Sequence, residues 1–256
     1  VSVEPFYEDE SVRLLLGDMR EVLPRLDVTP DAAVLDPPYG ETSASWDRWV
    51  DGWPAVVGSV LPSSASLWCF GSTRMFLEHA QDFEGWKYAQ EQLWIKRNGT
   101  GPGSRDRLSK VHEWAVHWYR GRWSDLHHEW EREPVDGPDK GYVRRLAPAA
   151  EHRREGRLSA WTDDGMRLRR SVVEAPSVRF EKRHQDEKPL ATVLPLVREC
   201  VPPGGLVLDC FAGACTTGVA AKILGRRAVL VEADEETCEK AAVRLSQGVL
   251  ELGGVA

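Results

Sequence analysis

Residues 207–234 read VLDCFAGACTTGVAAKILGRRAVLVEAD, and the fold follows by working outward from them. The short apolar run Leu206 to Asp209 predicts a strand, because it ends on an acidic residue followed by a glycine-containing turn, Phe211-Ala212-Gly213. A helix follows to Leu224, a second strand covers Ala228 to Val231 and stops at Glu232, and a last helix runs from Glu235 to about Leu245. Strand, turn, helix and strand in this order build parallel α/β sheets. The same pattern recurs upstream. Val12 to Leu16 stops at Gly17-Asp18 ahead of a helix from Arg20 to Leu26. Ala32 to Leu35 is cut off by Asp36-Pro37-Pro38, since tandem prolines cannot continue a central strand. Ser66 to Phe70 ends at Gly71 and leads into a helix through about Gln81, while Gln92 to Ile95 and Glu113 to Tyr119 have the β-branched and aromatic content of an antiparallel edge. A helix from Pro189 to about Val201 precedes the quoted stretch.

The 256 residues suffice for one sizeable α/β domain with an insertion. The net charge of -7 argues against a wholly electrostatic nucleic-acid binder, but the total hides an asymmetry. Residues 94–183 hold 20 Lys and Arg against 14 Asp and Glu, whereas the rest of the chain holds 13 against 26. From Gly121 to about Arg183 periodicity fades and Arg pairs stand at 144–145, 153–154 and 169–170, which reads as an insertion outside the core and as a local polyanion contact. Three of the eleven tryptophans, Trp123, Trp130 and Trp161, fall there, while Trp68 and Trp94 lie on strands and read as core. Five cysteines, at 69, 200, 210, 215 and 238, form no C-x-x-C pair, so neither a disulfide framework nor a metal site is expected, and a reducing, cytoplasmic compartment is. The acidic start VSVEPFYEDE does not read as an export signal. The uncharged run Gly52 to Thr73 is broken by Pro54, Gly58, Pro62 and Gly71, so no membrane span is expected.

Two strand ends carry chemistry. Glu232 lies 19 positions after Gly213, at the end of its strand, where a carboxylate can accept both hydroxyls of a ribose. The unit lacks G-x-G-x-x-G and G-x-x-x-x-G-K-[ST], which disfavours a pyrophosphate or triphosphate and leaves a nucleoside without phosphates, such as S-adenosylmethionine, suitable. Gly213 also suits the tight turn of any βαβ unit. The second site is Asp36-Pro37-Pro38-Tyr39, at the edge where open α/β sheets bind ligands. Prolines stiffen the loop and contribute carbonyls without N–H groups, so Asp36 and a rigid carbonyl make a double acceptor for an amino group, beside the flat ring of Tyr39. Standing alone, the same tetrapeptide suits a proline-rich turn with a capping aspartate.

Asp36-Pro37-Pro38-Tyr39, together with Asp209-x-Phe211-x-Gly213-x-x-Thr216-Thr217 and His184-x-x-x-Lys188-Pro189, resembles the S-adenosylmethionine-dependent DNA amino-methyltransferases of the permuted β class. The order matches as well, with the catalytic tetrapeptide before the recognition region and the cofactor loop last. The resemblance covers about residues 11–119 and 184–247. It implies a Rossmann-like α/β sheet, circularly permuted, with an inserted DNA-recognition segment: residues 1–120 as the catalytic half, 121–183 as the target-recognition insertion and 184–256 as the cofactor-binding half. It further implies that Asp36 and the Pro37 carbonyl bind the target amine, with Pro38 stiffening the loop and Tyr39 stacking on a flipped base. Asp18, Lys188, Asp209, Phe211, Gly213, Thr216 and Glu232 would surround S-adenosyl-L-methionine. Asp18 also suits a helix cap, and His184 a surface position. Two departures stand out: the usual Asp-Pro-Phe reads Asp209-Cys210-Phe211, and the second loop glycine is Cys215. If position 215 requires positive φ, cysteine costs roughly 1 kcal/mol or more there.

The expected reaction is direct transfer of a sulfonium methyl to an exocyclic base amine, without a metal or a covalent enzyme intermediate. An amine paired within a duplex cannot present its lone pair, so the base must be flipped out. In the family, aspartate at the first position of the tetrapeptide usually goes with adenine N6 and serine with cytosine N4, so Asp36 favours adenine. An N4-cytosine enzyme, a catalytically silent DNA-binding protein of the same fold and an RNA or small-molecule methyltransferase are the alternatives. DNA is the expected partner, and a homodimer is left open.

Overall fold

The protein is described from a computed structural model, in which residues 3–96, 106, 108–134, 165–177 and 187–247 are the described ones. The chain divides into two compact units, one formed by 1–129 with 171–256 and the other by 130–170.

The first unit is organised by one sheet. Its strands are β1 (Tyr7–Glu8), β2 (Val12–Leu16), β3 (Ala32–Leu35), β4 (Ala65–Gly71), β5 (Lys87–Lys96), β6 (His112–Arg120), β9 (Val172–Ala175), β10 (Leu206–Asp209) and β11 (Arg227–Glu232), in the spatial order β1-β2-β11-β10-β3-β4-β6-β5-β9. β2, β11, β10, β3 and β4 run parallel, and β6 turns the direction. The helices are α1 (Met19–Val22), α2 (Trp53–Val60), α3 (Thr73–Glu78), α4 (Leu190–Cys200), α5 (Thr216–Ile223) and α6 (Glu235–Leu245). β3, β4 and β10 are buried at every position, as strands covered on both faces are. Alternate residues divide between two cores. Val12, Leu14, Val207, Ala228 and Leu230 pack with α4, α5 and α6 residues, whereas Leu15, Leu206, Leu208, Val229 and Val231 pack with α1 and α2 residues. Leu208 is fully buried, and truncation of such a leucine to alanine costs roughly 2–5 kcal/mol.

The expected strands at 12–16, 32–35 and 206–209 are found with those bounds. Other elements differ for identifiable reasons. The helix expected to Leu26 is α-helical only to Val22 and continues as a 3-10 turn over Leu23–Arg25, because Pro24 offers no N–H to an α-helical ladder. Inside the uncharged run, Trp53–Val60 forms α2 with Pro54 in its first turn, where its missing N–H is harmless. No described helix is long and apolar enough to cross a membrane. β5 and β6 are antiparallel as expected, yet they are not the edge: β9 pairs parallel with β5 beyond them. The expected insertion from 121 to 183 therefore includes a strand of the main sheet. Trp68 and Trp94 are buried as expected.

In the second unit, β7 (Arg132–Pro134) and β8 (Met166–Leu168) form an antiparallel pair. Arg167 is paired with Glu133 at 2.9 Å, Arg169 lies 3.7 Å from Glu131, and Arg170 lies 3.9 Å from Glu133. The pairs at 144–145 and 153–154, Trp161 and His184 lie outside the described residues.

Candidate active site

β10 leads through α5 to β11 on one side, and β3 leads through α2 to β4 on the other, so the chain order reverses between β10 and β3. Open α/β sheets bind ligands outside the carboxyl ends of the strands at such a reversal. A cavity of about 890 Å³ lies there, within the range of ligand sites, roughly 300–1,000 Å³. The expected catalytic and cofactor residues line it: Asp18, Asp36, Pro37, Pro38, Tyr39, Lys188, Asp209, Phe211, Gly213, Thr216 and Glu232.

The turn after β10 is built from backbone and carboxylates. Asp209 is buried and spends both oxygens locally, accepting Thr217 Oγ1 at 2.6 Å and the Phe211 N–H at 3.1 Å. Burial raises its pKa to about 7 against the pull of those two hydrogen bonds. Gly213 has φ 47°, and its N–H reaches Glu232 Oε2 at 2.8 Å, while the Asp234 N–H holds Oε1 at 2.9 Å. One lone pair on each Glu232 oxygen remains for a ligand. Cys215 has φ 60° and ψ 35° and is fully buried; among the described residues it is the one non-glycine at positive φ. The strain foreseen for this position is present. It has a compensation, since the thiol packs in the core cluster with Val219 and Leu230.

The turn after β3 is built from side-chain charge. Tyr39 donates its hydroxyl to Asp36 Oδ1 at 2.9 Å, and Lys188 donates to Asp36 Oδ2 at 2.6 Å. Burial pushes the Asp36 carboxyl up, opposed by the Lys188 ammonium and reinforced by the Glu113 carboxylate. Burial disfavours the Lys188 charge, but Asp36 and Glu113 outweigh it and hold the lysine above its usual range. The following loop is braced by Asp47, whose carboxylate accepts the N–H groups of Gly40, Glu41 and Thr42. That bracing sets the half-exposed Trp46 at the cavity wall.

Asp18 lines the cavity and also caps α1, accepting the Arg20 N–H and pairing with the Arg20 guanidinium, which lowers its pKa. Thr216 donates to the Lys188 carbonyl at 3.2 Å. Sequence reasoning missed Glu113, Lys96 and Arg244. Glu113, on β6, bonds Lys96 and lies 3.4 Å from Lys188. Arg244, on α6, ties the Ala214 carbonyl to Glu187, which precedes Lys188. No group of His, Cys, Asp and Glu suited to a metal ion is found among the described residues.

A family model of N6/N4 methyltransferases, described as DNA methylase, matches residues 31–243. The chain belongs to this DNA methylase family. The methylase is 26% identical over 245 residues to the Type II methyltransferase M1.MboII of Moraxella bovis, covering 84% of this chain and 88% of that one. It is 22% identical over 272 residues to M2.LlaDCHI of Lactococcus lactis subsp. cremoris, covering 96% and 93%. In fold it resembles the M1.HpyAVI–SAM complex, with TM-score 0.63 and 20% identity over 91% of this chain and all of that one. It also resembles the cytosine-N4-specific PvuII DNA methyltransferase, with TM-score 0.64 and 14% identity over 98% and 93%. The methylase uses S-adenosylmethionine, and its residues fit that cofactor: Glu232 lines the cavity beside the glycine turn and keeps a lone pair on each oxygen.

Proposed function

We propose that the methylase transfers a methyl group from S-adenosylmethionine to the N6 amine of adenine in DNA, at a specific sequence. The observation that carries this reading is the placement of Asp36. It lies at the carboxyl end of β3, beside the proline-stiffened loop and in the same cavity as Glu232 on β11. Aspartate rather than serine at the head of the tetrapeptide favours adenine over cytosine.

S-adenosylmethionine supplies the electrophilic methyl when bound. The chain's own residues do the rest. The target amine's lone pair is delocalised into its ring, and two acceptors, the Asp36 carboxylate and the Pro37 carbonyl, draw its hydrogens out of plane and turn the lone pair toward the methyl. Tyr39, anchored to Asp36 through its hydroxyl, presents its ring for stacking on the flipped base. Glu232 accepts the ribose hydroxyls, Gly213 and Phe211 line the adenosine side, and Asp18 lies at the adjoining strand end. Asp209 serves this site by holding the turn, since both its oxygens are committed to it. Lys188, fixed by Thr216, borders the methionine end.

The Arg-rich segment from 121 to 183 is proposed as the target-recognition region, and the chain order as a circular permutation. Pairing of β2 with β11 supports the latter: the first and last long strands are neighbours, so a join between them would leave the strand-end site unchanged. Incubation with unmethylated genomic DNA and labelled S-adenosylmethionine, followed by digestion to nucleosides, tests the reading. Label in N6-methyladenine is expected. Label in N4-methylcytosine alone, or none in DNA, would overturn it.

A further inference from the structure

Both oxygens of Asp36 are engaged, Oδ1 by Tyr39 and Oδ2 by Lys188. Each oxygen keeps one lone pair, but a target amine bonding Asp36 would share the carboxylate with an ammonium that draws on its negative charge, so moving Lys188 away leaves Asp36 to the amine. Lys188 is the movable one, because its ammonium lies 3.4 Å from a second carboxylate, Glu113 Oε2. That oxygen is buried and makes no hydrogen bond, while its partner Oε1 holds Lys96. The side chains of Lys188 and Glu113 are only 10% and 13% exposed, so water is a poor substitute for either. The Lys188 backbone is held by Thr216 through its carbonyl, which leaves the side chain as the part that moves.

We infer that Glu113 is a positioning residue that takes the Lys188 ammonium when the target amine takes Asp36. The cluster holds two carboxylates, Asp36 and Glu113, and two ammoniums, Lys188 and Lys96; after the exchange both ammoniums share Glu113, one on each oxygen, and Asp36 is hydrogen-bonded by Tyr39 and the target amine. Closing from 3.4 Å to a charge-assisted hydrogen bond of about 2.7–2.9 Å needs a shift of less than about 1 Å. A buried lysine driven off Asp36 without a second acceptor would instead be strongly unfavourable. Glu113 thereby sets how readily Asp36 is released to substrate, acting through Lys188.

The inference rests on the methyltransfer reading above, and the test separates the two. Kinetics with unmethylated genomic DNA and labelled S-adenosylmethionine are measured for wild type, E113Q, E113D, K188M and E113Q/K188M, with cofactor affinity measured by calorimetry. Absence of transfer by wild type sinks the reading itself. With transfer present, E113Q is expected to raise KM for DNA about tenfold, with kcat and cofactor affinity within threefold of wild type. E113D, which keeps the carboxylate, is expected to raise KM by about threefold. K188M removes the ammonium that Glu113 would receive, so the DNA affinities of K188M and E113Q/K188M, read by direct binding, are expected to differ by less than threefold. The inference is overturned by an unchanged KM in E113Q, by a parallel loss of cofactor affinity, or by an E113Q penalty in DNA affinity that is equal with and without Lys188. Should E113Q not fold, E113D carries the same arms.

Discussion

Asp36 and Asp209 end neighbouring parallel strands, β3 and β10, and line one cavity, yet their surroundings assign them opposite work. Asp209 is buried, bonds only neutral donors of its own turn and is pushed to a pKa of about 7 by burial. Asp36 is more exposed and faces a cationic side chain from 152 positions away in sequence. A strand-end carboxylate bonded within its own turn holds geometry. One held by a cation with a second carboxylate 3.4 Å away is, on the proposed reading, available to a substrate. The contrast extends to the backbone: prolines stiffen the turn after β3, whereas the turn after β10 places Cys215 at positive φ.

The contrast is sharpest in pH dependence. Asp209 has a folded pKa near 7 against an unfolded value near 3.8, so the folded state binds the extra proton between these values. Its contribution is fully present below about pH 4 and is lost as pH rises through about 7. Asp209→Asn, which does not titrate, should therefore gain stability relative to wild type by up to about 1.4 kcal/mol per pH unit over that window. Denaturant unfolding at pH 5 and pH 8 checks this, and a constant difference would break the contrast. Next in size is Glu232→Ala. With Glu232 on the ribose, as proposed, its loss should cost roughly 1.5–3 kcal/mol of cofactor affinity, about 10- to 150-fold. Calorimetry giving wild-type affinity would move the cofactor elsewhere in the cavity. The smallest effect concerns Cys215. Glycine relieves the positive φ but loses the packed thiol, so Cys215→Gly should lie within about 1 kcal/mol of wild type. Cys215→Ala keeps the strain and loses the sulfur, and should be less stable than Cys215→Gly by about 1 kcal/mol. An alanine variant as stable as the glycine variant would contradict the left-handed conformation at this position.

The parts of the molecule legible in its sequence are those whose signal is local. β2, β3 and β10 announce themselves as apolar runs closed by Gly17-Asp18, by Asp36-Pro37 and by Asp209 with its turn, and those same closures carry the site. β9 is hidden, because Val172–Ala175 lies in Arg-rich sequence and finds its partner Leu93–Lys96 far away along the chain. α2 is hidden because Pro54 and Gly58 read as breakers, although Pro54 occupies the first turn. Glu113 and Lys96 look like ordinary polar strand positions until the fold brings Lys188 between Asp36 and Glu113. Periodicity finds strand ends, and only tertiary structure finds the charges that meet there.

The central claim is that Asp36 acts on the target amine and not on the cofactor or the fold. Methyl transfer to genomic DNA and S-adenosylmethionine affinity, measured on one preparation of Asp36→Ala, test it most directly. Transfer is expected to fall by about 10²-fold or more, the range for losing a group aimed at developing charge, with cofactor affinity within threefold of wild type. Turnover within tenfold of wild type, or cofactor binding lost along with transfer, would contradict it.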